Sequence, residues 1–317
     1  MGNIGIMAVL ASLVAVGYVA GNLGYMGGEF DKRLSSLVID ITCPALILSS
    51  TMNGTLPDRH LILPLLGISL LTYLLLAAAA LLLPRHIVGR REDEGVVGFA
   101  LMFGNVGFIG YPVVASIFGH EAVFYTAVLN VVNTFAVFTV GTWLLTQGSV
   151  AGEGTAATPQ RGRVGEHGFR PQVLYSSPMV AAYLAMLIVA FGIEGIPFII
   201  SQPLTMIGNI TVPAALLIIG SSMSQLSGRT MLGNRTVYVT TLFRLVLLPL
   251  ALYLLFMAIG FSSYVISINT VVIAMPVATY GTILCLKLGR DATLITETTF
   301  ISTLLSVLTI PLLSMLF

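Results

Sequence analysis

Charge is what this sequence has least of. Charged residues make up 9% of the 317 residues, against roughly 25% in a soluble domain. Too few remain to cover a water-facing surface of this size. The acidic and basic residues nearly balance at a net charge of +1, and no basic tract exists, so nothing points to nucleic acid. Cysteine is scarce as well. Cys43 and Cys285 both lie in apolar runs, which excludes a disulfide framework and a metal-binding spacing. All four histidines (His60, His86, His120, His167) fall between apolar runs, so no buried histidine is on offer for an intramembrane protease or a haem. His120-Glu121 lacks the second histidine of a zinc motif. No nucleophile–base pair, metal set or cofactor motif remains, and these absences weigh against an enzyme.

Apolar residues are abundant, at 56%, and they come in blocks of about 20, the length that crosses ~30 Å of hydrocarbon at 1.5 Å per residue. The lipid bilayer is the implied solvent, and helices are the spanning element, because a barrel would show short alternating segments. Spans are expected at 4–23, 34–52, 61–83, 95–118 and 122–145, then at 173–191, 197–223, 237–259, 267–288 and 292–317. The first run lacks a basic flank and reads as a retained span rather than a cleaved signal. The expected organisation is a first five-helix unit over 1–145, a solvated linker over 146–172, and a second five-helix unit over 173–317.

Lys and Arg give the direction. With both termini outside, Lys32, Arg33, Arg85, Arg90, Arg91, Arg161, Arg163, Arg170, Arg229, Arg235, Lys287 and Arg290 fall in inner loops, and the linker is cytoplasmic. Arg59 alone falls outside, and Arg244 lies within a span. A missed span would scramble that alternation. The expected location is the cell membrane.

The two units resemble each other. Ile41-Thr42-Cys43-Pro44-Ala45 matches Ile210-Thr211-Val212-Pro213-Ala214, and Gly119-His120-Glu121-Ala122 matches Gly289-Arg290-Asp291-Ala292. Five spans per unit place the second copy upside down relative to the first, a plan shared by many secondary transporters.

Broken helices point to a site. Span 4 contains Gly104-Asn105-Val106-Gly107-Phe108-Ile109-Gly110-Tyr111-Pro112, poor material for a continuous helix. Span 9 holds Pro276 and Gly281, with Thr279, Tyr280 and Thr282. New helix N-termini are expected at about Pro112 and just after Pro276. Their unpaired N–H groups and positive dipole ends favour an anion, and Asn105 can add a side-chain donor. The plainer alternative is a pair of packing kinks. Asn130 and Asn133 share one face of span 5; they either line the same cavity or hydrogen-bond between helices.

Three charges lie inside spans. Asp40 follows Arg33 by seven residues, Arg244 follows Arg235 by nine, and Glu297 follows Arg290 by seven. That places each roughly 10–14 Å deep. One reading pairs Arg244 with one carboxylate and lets the other carry a proton; the other is a structural ion pair with a snorkelling side chain.

Three stretches carry a family likeness: Ile41 to Leu48, Gly104 through Gly119, and Ala274-Met275-Pro276 onward through Thr303-Leu304-Leu305 to Pro311. Over nearly its whole length the chain resembles the auxin efflux carrier family, within the bile acid/arsenite/riboflavin transporter superfamily. The resemblance implies an all-α protein of ten helices in two inverted repeats, and a scaffold domain with an elevator-type transport domain. It implies broken helices 4 and 9 that cross at Pro112 and Pro276. It also implies a small organic anion held near Asn105, Gly107, Gly110 and Tyr111, with H+ or Na+ as driving ion and a homodimer as assembly. Family members move auxin in plants and malonate or other carboxylates in prokaryotes, and the short linker here is of the prokaryotic kind. Relatives that use sodium carry an acidic residue near the span 9 break. Met275, Thr279 and Tyr280 stand there instead. A cation/proton antiporter or sodium-coupled symporter on the same architecture is the competing reading.

Overall fold

The structure is a computed structural model, described for residues 3–52, 56–147, 175–224, 235–288 and 290–316. Most of the expected linker, with Arg161, Arg163 and Arg170, lies outside the described residues, as does Arg229. What is described is helical, apart from one isolated antiparallel bridge.

Helices stand at each expected span position, with ends shifted by a few residues. They are α1 (Asn3–Asn22), α2 (28–49), α3 (Arg59–Leu82), α4 in two pieces (α4a, Glu94–Met102, and α4b, Val106–Phe118), and α5 (Glu121–Thr146). Then come α6 (Ser177–Ala190), α7 (Phe198–Ser224), α8 (Arg235–Ile259), α9 in two pieces (α9a, Ser263–Ile273, and α9b, Tyr280–Lys287), and α10 (Thr293–Ser314). By length and apolarity 5 of these can cross a membrane on their own: α3, α5, α7, α8 and α10. Their mean hydropathy runs from 1.5 to 2.4. The protein is a polytopic helical membrane protein, and its outward-facing Leu, Ile and Phe side chains are what lipid requires.

Proline explains most irregularities inside the helices. Wider, π-type turns occupy Val38–Thr42, Val106–Gly110 and Phe243–Leu247, and Pro44, Pro112 and Pro249 follow each by two residues. A proline cannot donate to the carbonyl four residues back, and its ring crowds that carbonyl. In each case that carbonyl, of Asp40, Phe108 or Leu245, is the central one of the wide turn. The extra residue per turn relieves the crowding without ending the helix. A fourth such turn, Val137–Gly141, has no proline after it, and we have no physical account of it. The matched proline motif in α7 is preceded by an interruption at Asn209 and Ile210.

The helices pack as two groups. α1, α2, α6 and α7 pack on one another; α3, α4, α5, α8, α9 and α10 form the other group. α1 and α7 approach closely enough that a methyl on Gly220 would overlap the Val14 carbonyl and reach the backbone of Gly17 at 3.0 Å. With no hydrophobic drive between helices in lipid, such close backbone packing supplies much of the attraction. α7 meets α2 within the repeated motif, where Gly208 lies against the backbone of Ala45 and Leu46. The two groups touch through α5–α6, α4b–α7, α2–α5 and α1–α10, and α4b also meets α1 and α2.

Candidate functional site: two broken helices crossing at one cavity

α4 breaks at Phe103–Asn105 and α9 between Ala274 and Thr279, and the two extended stretches pair antiparallel at Gly104 and Val277. The Asn105 N–H donates to the Pro276 carbonyl at 2.7 Å, and the Ala278 N–H donates to the Phe103 carbonyl at 3.0 Å. The Val277 N–H donates to Ser302 Oγ of α10 at 3.0 Å. The N–H groups of Asn105, Val277 and Ala278 in the two extended stretches are therefore satisfied by one antiparallel bridge and one serine.

This corrects the expected crossing point in α4. Pro112 does not mark it. The wide turn at Val106–Gly110 lets Pro112 sit within α4b, and the chain parts eight residues earlier, where Gly104 allows the close approach. A methyl on Gly104 would overlap Nη2 of Arg244 and meet both Cβ and O of Met275 at 3.1 Å. In α9 the break spans Pro276 as expected.

Beside the crossing lies a cavity of about 200 Å3. α4 contributes Gly104 to Phe108, α5 Asn130, Asn133, Thr134, Val137 and Phe138, and α9 Ala278, Thr279, Tyr280 and Ile283. Ile39 of α2 and Ser176, Pro178 and Met179 at the start of α6 close it from the other helix group. The cavity thus lies between the two groups, and no charged side chain lines it among the described residues. Of the residues singled out from sequence, Asn105, Gly107, Asn130, Asn133, Thr279 and Tyr280 come together there. Gly110, Tyr111, Pro112 and Pro276 do not line it, although Tyr111 and Pro276 brace residues that do. The contributions of α2 and α6 had no signal in the sequence, because Ile39, Pro178 and Met179 of two other helices and a lone serine before α6 carry them.

The cavity is rich in hydrogen-bonding groups without partners. The N–H groups of Gly107 and Phe108, and of Thr279 and Tyr280, lie at the starts of α4b and α9b and have no acceptor among the described residues. Asn105 is buried to 7% exposure, and its side chain makes no hydrogen bond among the described residues. A chain of side chains continues behind it: Asn133 Nδ2 donates to Asn130 Oδ1 at 2.8 Å, and Asn130 Nδ2 donates to the Tyr111 hydroxyl at 3.1 Å. Asn133 Oδ1 ends the chain, buried and unpartnered. Turning both amides over and letting Tyr111 donate preserves every bond and presents Asn133 N–H groups instead.

The expected charge cluster does not assemble. Arg244 is fully buried, but its donors go to main-chain carbonyls: Nε to Met275 at 3.0 Å, and Nη1 to Leu101 at 3.0 Å and Met102 at 3.3 Å. Among the described residues it forms no ion pair with Asp40 or Glu297. Asp40 is exposed beside Ile39, while Glu297 is half-buried on α10. Equal depth along the membrane normal says nothing about position around the bundle, and the three charges sit on different helices. No group of three or more metal-ligating side chains occurs among the described residues.

A crossing of two interrupted helices over a cavity between two helix groups is the architecture of a membrane carrier. The membrane transport protein family, which is that of the auxin efflux carriers, matches residues 4–161 and 172–314, and the chain belongs to it. Two curated relatives are similar along nearly their whole length. An uncharacterized transporter of Methanocaldococcus jannaschii is 27% identical over 314 residues, covering 97% of this chain and 96% of the relative. An uncharacterized transporter of Methanothermobacter thermautotrophicus is 27% identical over 317 residues, covering 97% and 95%. The protein is accordingly a multi-pass membrane protein of a transporter family.

Proposed function

We propose that the protein is a secondary transporter of small organic anions, carboxylates above all, working by elevator-type alternating access. The observation that carries this reading is the convergence of unpartnered donors on one cavity. Gly107, Phe108, Thr279 and Tyr280, at two helix starts and with free N–H groups, line it together with Asn105 and its unpartnered amide. Helix N-termini carry about half a positive charge and bind carboxylate or phosphate without a basic side chain. A volume of about 200 Å3 suits a molecule of a few carbons rather than a large one.

The packing supports the elevator. The cavity walls divide between the group holding both broken helices and the group holding α2 and α6, so a sliding of one group against the other would carry the cavity with α4, α5 and α9. In this proposal the chain has ten spans in two inverted five-helix units, with both termini outside and the linker cytoplasmic. The matched proline motifs of α2 and α7 and the paired breaks of α4 and α9 support the repeat. Asp40 and Glu297 are the acidic groups available to respond to a proton gradient. The lack of a carboxylate on the cavity wall among the described residues argues against a cation antiporter that binds its cation there.

The test is uptake of labelled malonate, malate and phenylacetate into proteoliposomes, with and without a proton or sodium gradient. Saturable uptake that Asn105→Ala reduces at least tenfold is the expected result. Uptake of none of these anions, or full uptake by Asn105→Ala, would reject the anion site at the crossing.

A further inference from the structure

Among the described residues Arg244 is the largest fully buried side chain, and it sits behind the cavity rather than in it. Its hydrogen bonds reach the carbonyls of Leu101 and Met102 at the C-terminal end of α4a, and that of Met275 just past the C-terminal end of α9a. Carbonyls at these positions are the ones a helix leaves unpaired. The third nitrogen, Nη2, lies against Gly104, whose other side faces the cavity. One guanidinium therefore clamps both half-helices that end at the crossing.

Four helix ends meet at this point. The two N-terminal ends are partly positive and the two C-terminal ends partly negative, each by about half a charge. Left alone, they would nearly cancel when seen from the cavity. Arg244 covers the negative pair with a full positive charge, and no ion pair to it occurs among the described residues. We propose that Arg244 sets the charge preference of the cavity from behind. It neutralises both C-terminal helix ends and leaves the two N-terminal ends as a net positive site. The transported anion is then the countercharge of a buried cation that it never touches. Arg244 acts here as a positioning residue, through the two helix ends. The planar fork matters, because three carbonyls on two helices are reached at once, which a lysine ammonium cannot reproduce with the same geometry. The inference rests on the anion-site reading and assigns its charge selectivity to a residue outside the cavity.

The experiment compares anions with their neutral isosteres. Malonate and malonamide, and phenylacetate and phenylacetamide, are titrated onto purified full-length protein, with thermal unfolding in detergent as the readout of binding. A unit charge on the order of 10 Å from the ligand, at an effective dielectric near 20, is worth about tenfold in affinity. Arg244→Gln is therefore expected to weaken phenylacetate binding about tenfold, and binding of the malonate dianion more, while leaving amide binding close to wild type. Arg244→Lys keeps the charge and should retain most of the anion preference. A purely structural clamp would weaken anion and amide alike. Thr240→Asp gives an independent check that leaves the guanidinium in place. Thr240 lies one turn before Arg244 on α8, buried with an unpartnered hydroxyl, and a carboxylate there should lower the anion-to-amide ratio as Arg244→Gln does. It also carries the test if Arg244→Gln does not survive purification. An unchanged anion-to-amide ratio in these two variants would overturn this inference while leaving the anion site standing. Failure of any anion to stabilise the wild type would overturn both.

Discussion

Adding one methyl group at Gly104 should do far more harm than adding one at Gly107, three residues on. At Gly104 the new carbon overlaps Arg244 Nη2 and presses on Met275 at 3.1 Å. Two responses are open. The guanidinium moves by about an ångström and gives up some of its bonds to Leu101, Met102 and Met275, each a charge-assisted bond worth about 1.5–3 kcal/mol. Otherwise the two extended stretches part, and the bonds from Asn105 to Pro276 and from Ala278 to Phe103 lengthen. Either response loses one or two buried hydrogen bonds, about 2–4 kcal/mol. At Gly107 the methyl meets nothing within 4 Å, and its backbone is not in the left-handed region, so alanine should match or exceed glycine by about 0.5–1 kcal/mol. The same methyl intrudes on the cavity next to the free N–H groups, so uptake should fall although stability does not. Thermal unfolding of the two variants in detergent, followed by uptake in proteoliposomes, reads both effects. Unfolding of Gly104→Ala at the wild-type temperature, or a less stable Gly107→Ala, would refute the geometry of the crossing.

Three further outcomes are expected. Gly220→Ala should destabilise the protein by about 1–3 kcal/mol, because α1 and α7 must separate to admit the methyl; its unfolding temperature measures this, and no change would refute the close packing. Tyr111→Phe removes the hydroxyl that Asn130 holds at 3.1 Å, leaving a buried amide group without a partner, and should cost about 1–2 kcal/mol in thermal unfolding and weaken transport through Asn133. His120 sits in the turn between α4b and α5, 2.9 Å from the Ser49 hydroxyl, and burial lowers its pKa from the ordinary 6.5. The unfolded chain takes up the proton first, so the stabilising contribution is full above 6.5 and is lost as the pH falls through the folded value. Stability compared between pH 7.5 and 5 should therefore fall less in His120→Asn than in wild type, and equal falls would remove His120 from the account.

The amino-acid sequence determined the solvent and the elements. Long uncharged blocks can only be helices in lipid, and the extent of those blocks located the helices to within a few residues. Its glycines, asparagine and proline also marked which two helices break, and the pairs at 105 and 107, 130 and 133, and 279 and 280 do meet at the cavity. These were legible because helix formation is local and a run of such residues weakens it wherever it falls. The position of the α4 break was not legible, because Pro112 has two remedies, a break or a wide turn. Only the partner strand at Pro276–Ala278, distant in sequence, selects a break at Gly104. Nor was the partner of Arg244 legible. Depth counted along a helix suggested Asp40 or Glu297, but rotation about the bundle axis is set by side-chain packing between helices, which turned the guanidinium toward carbonyls freed by the breaks themselves. Those carbonyls exist only once both helices are interrupted and crossed, so only the tertiary structure could decide what Arg244 holds.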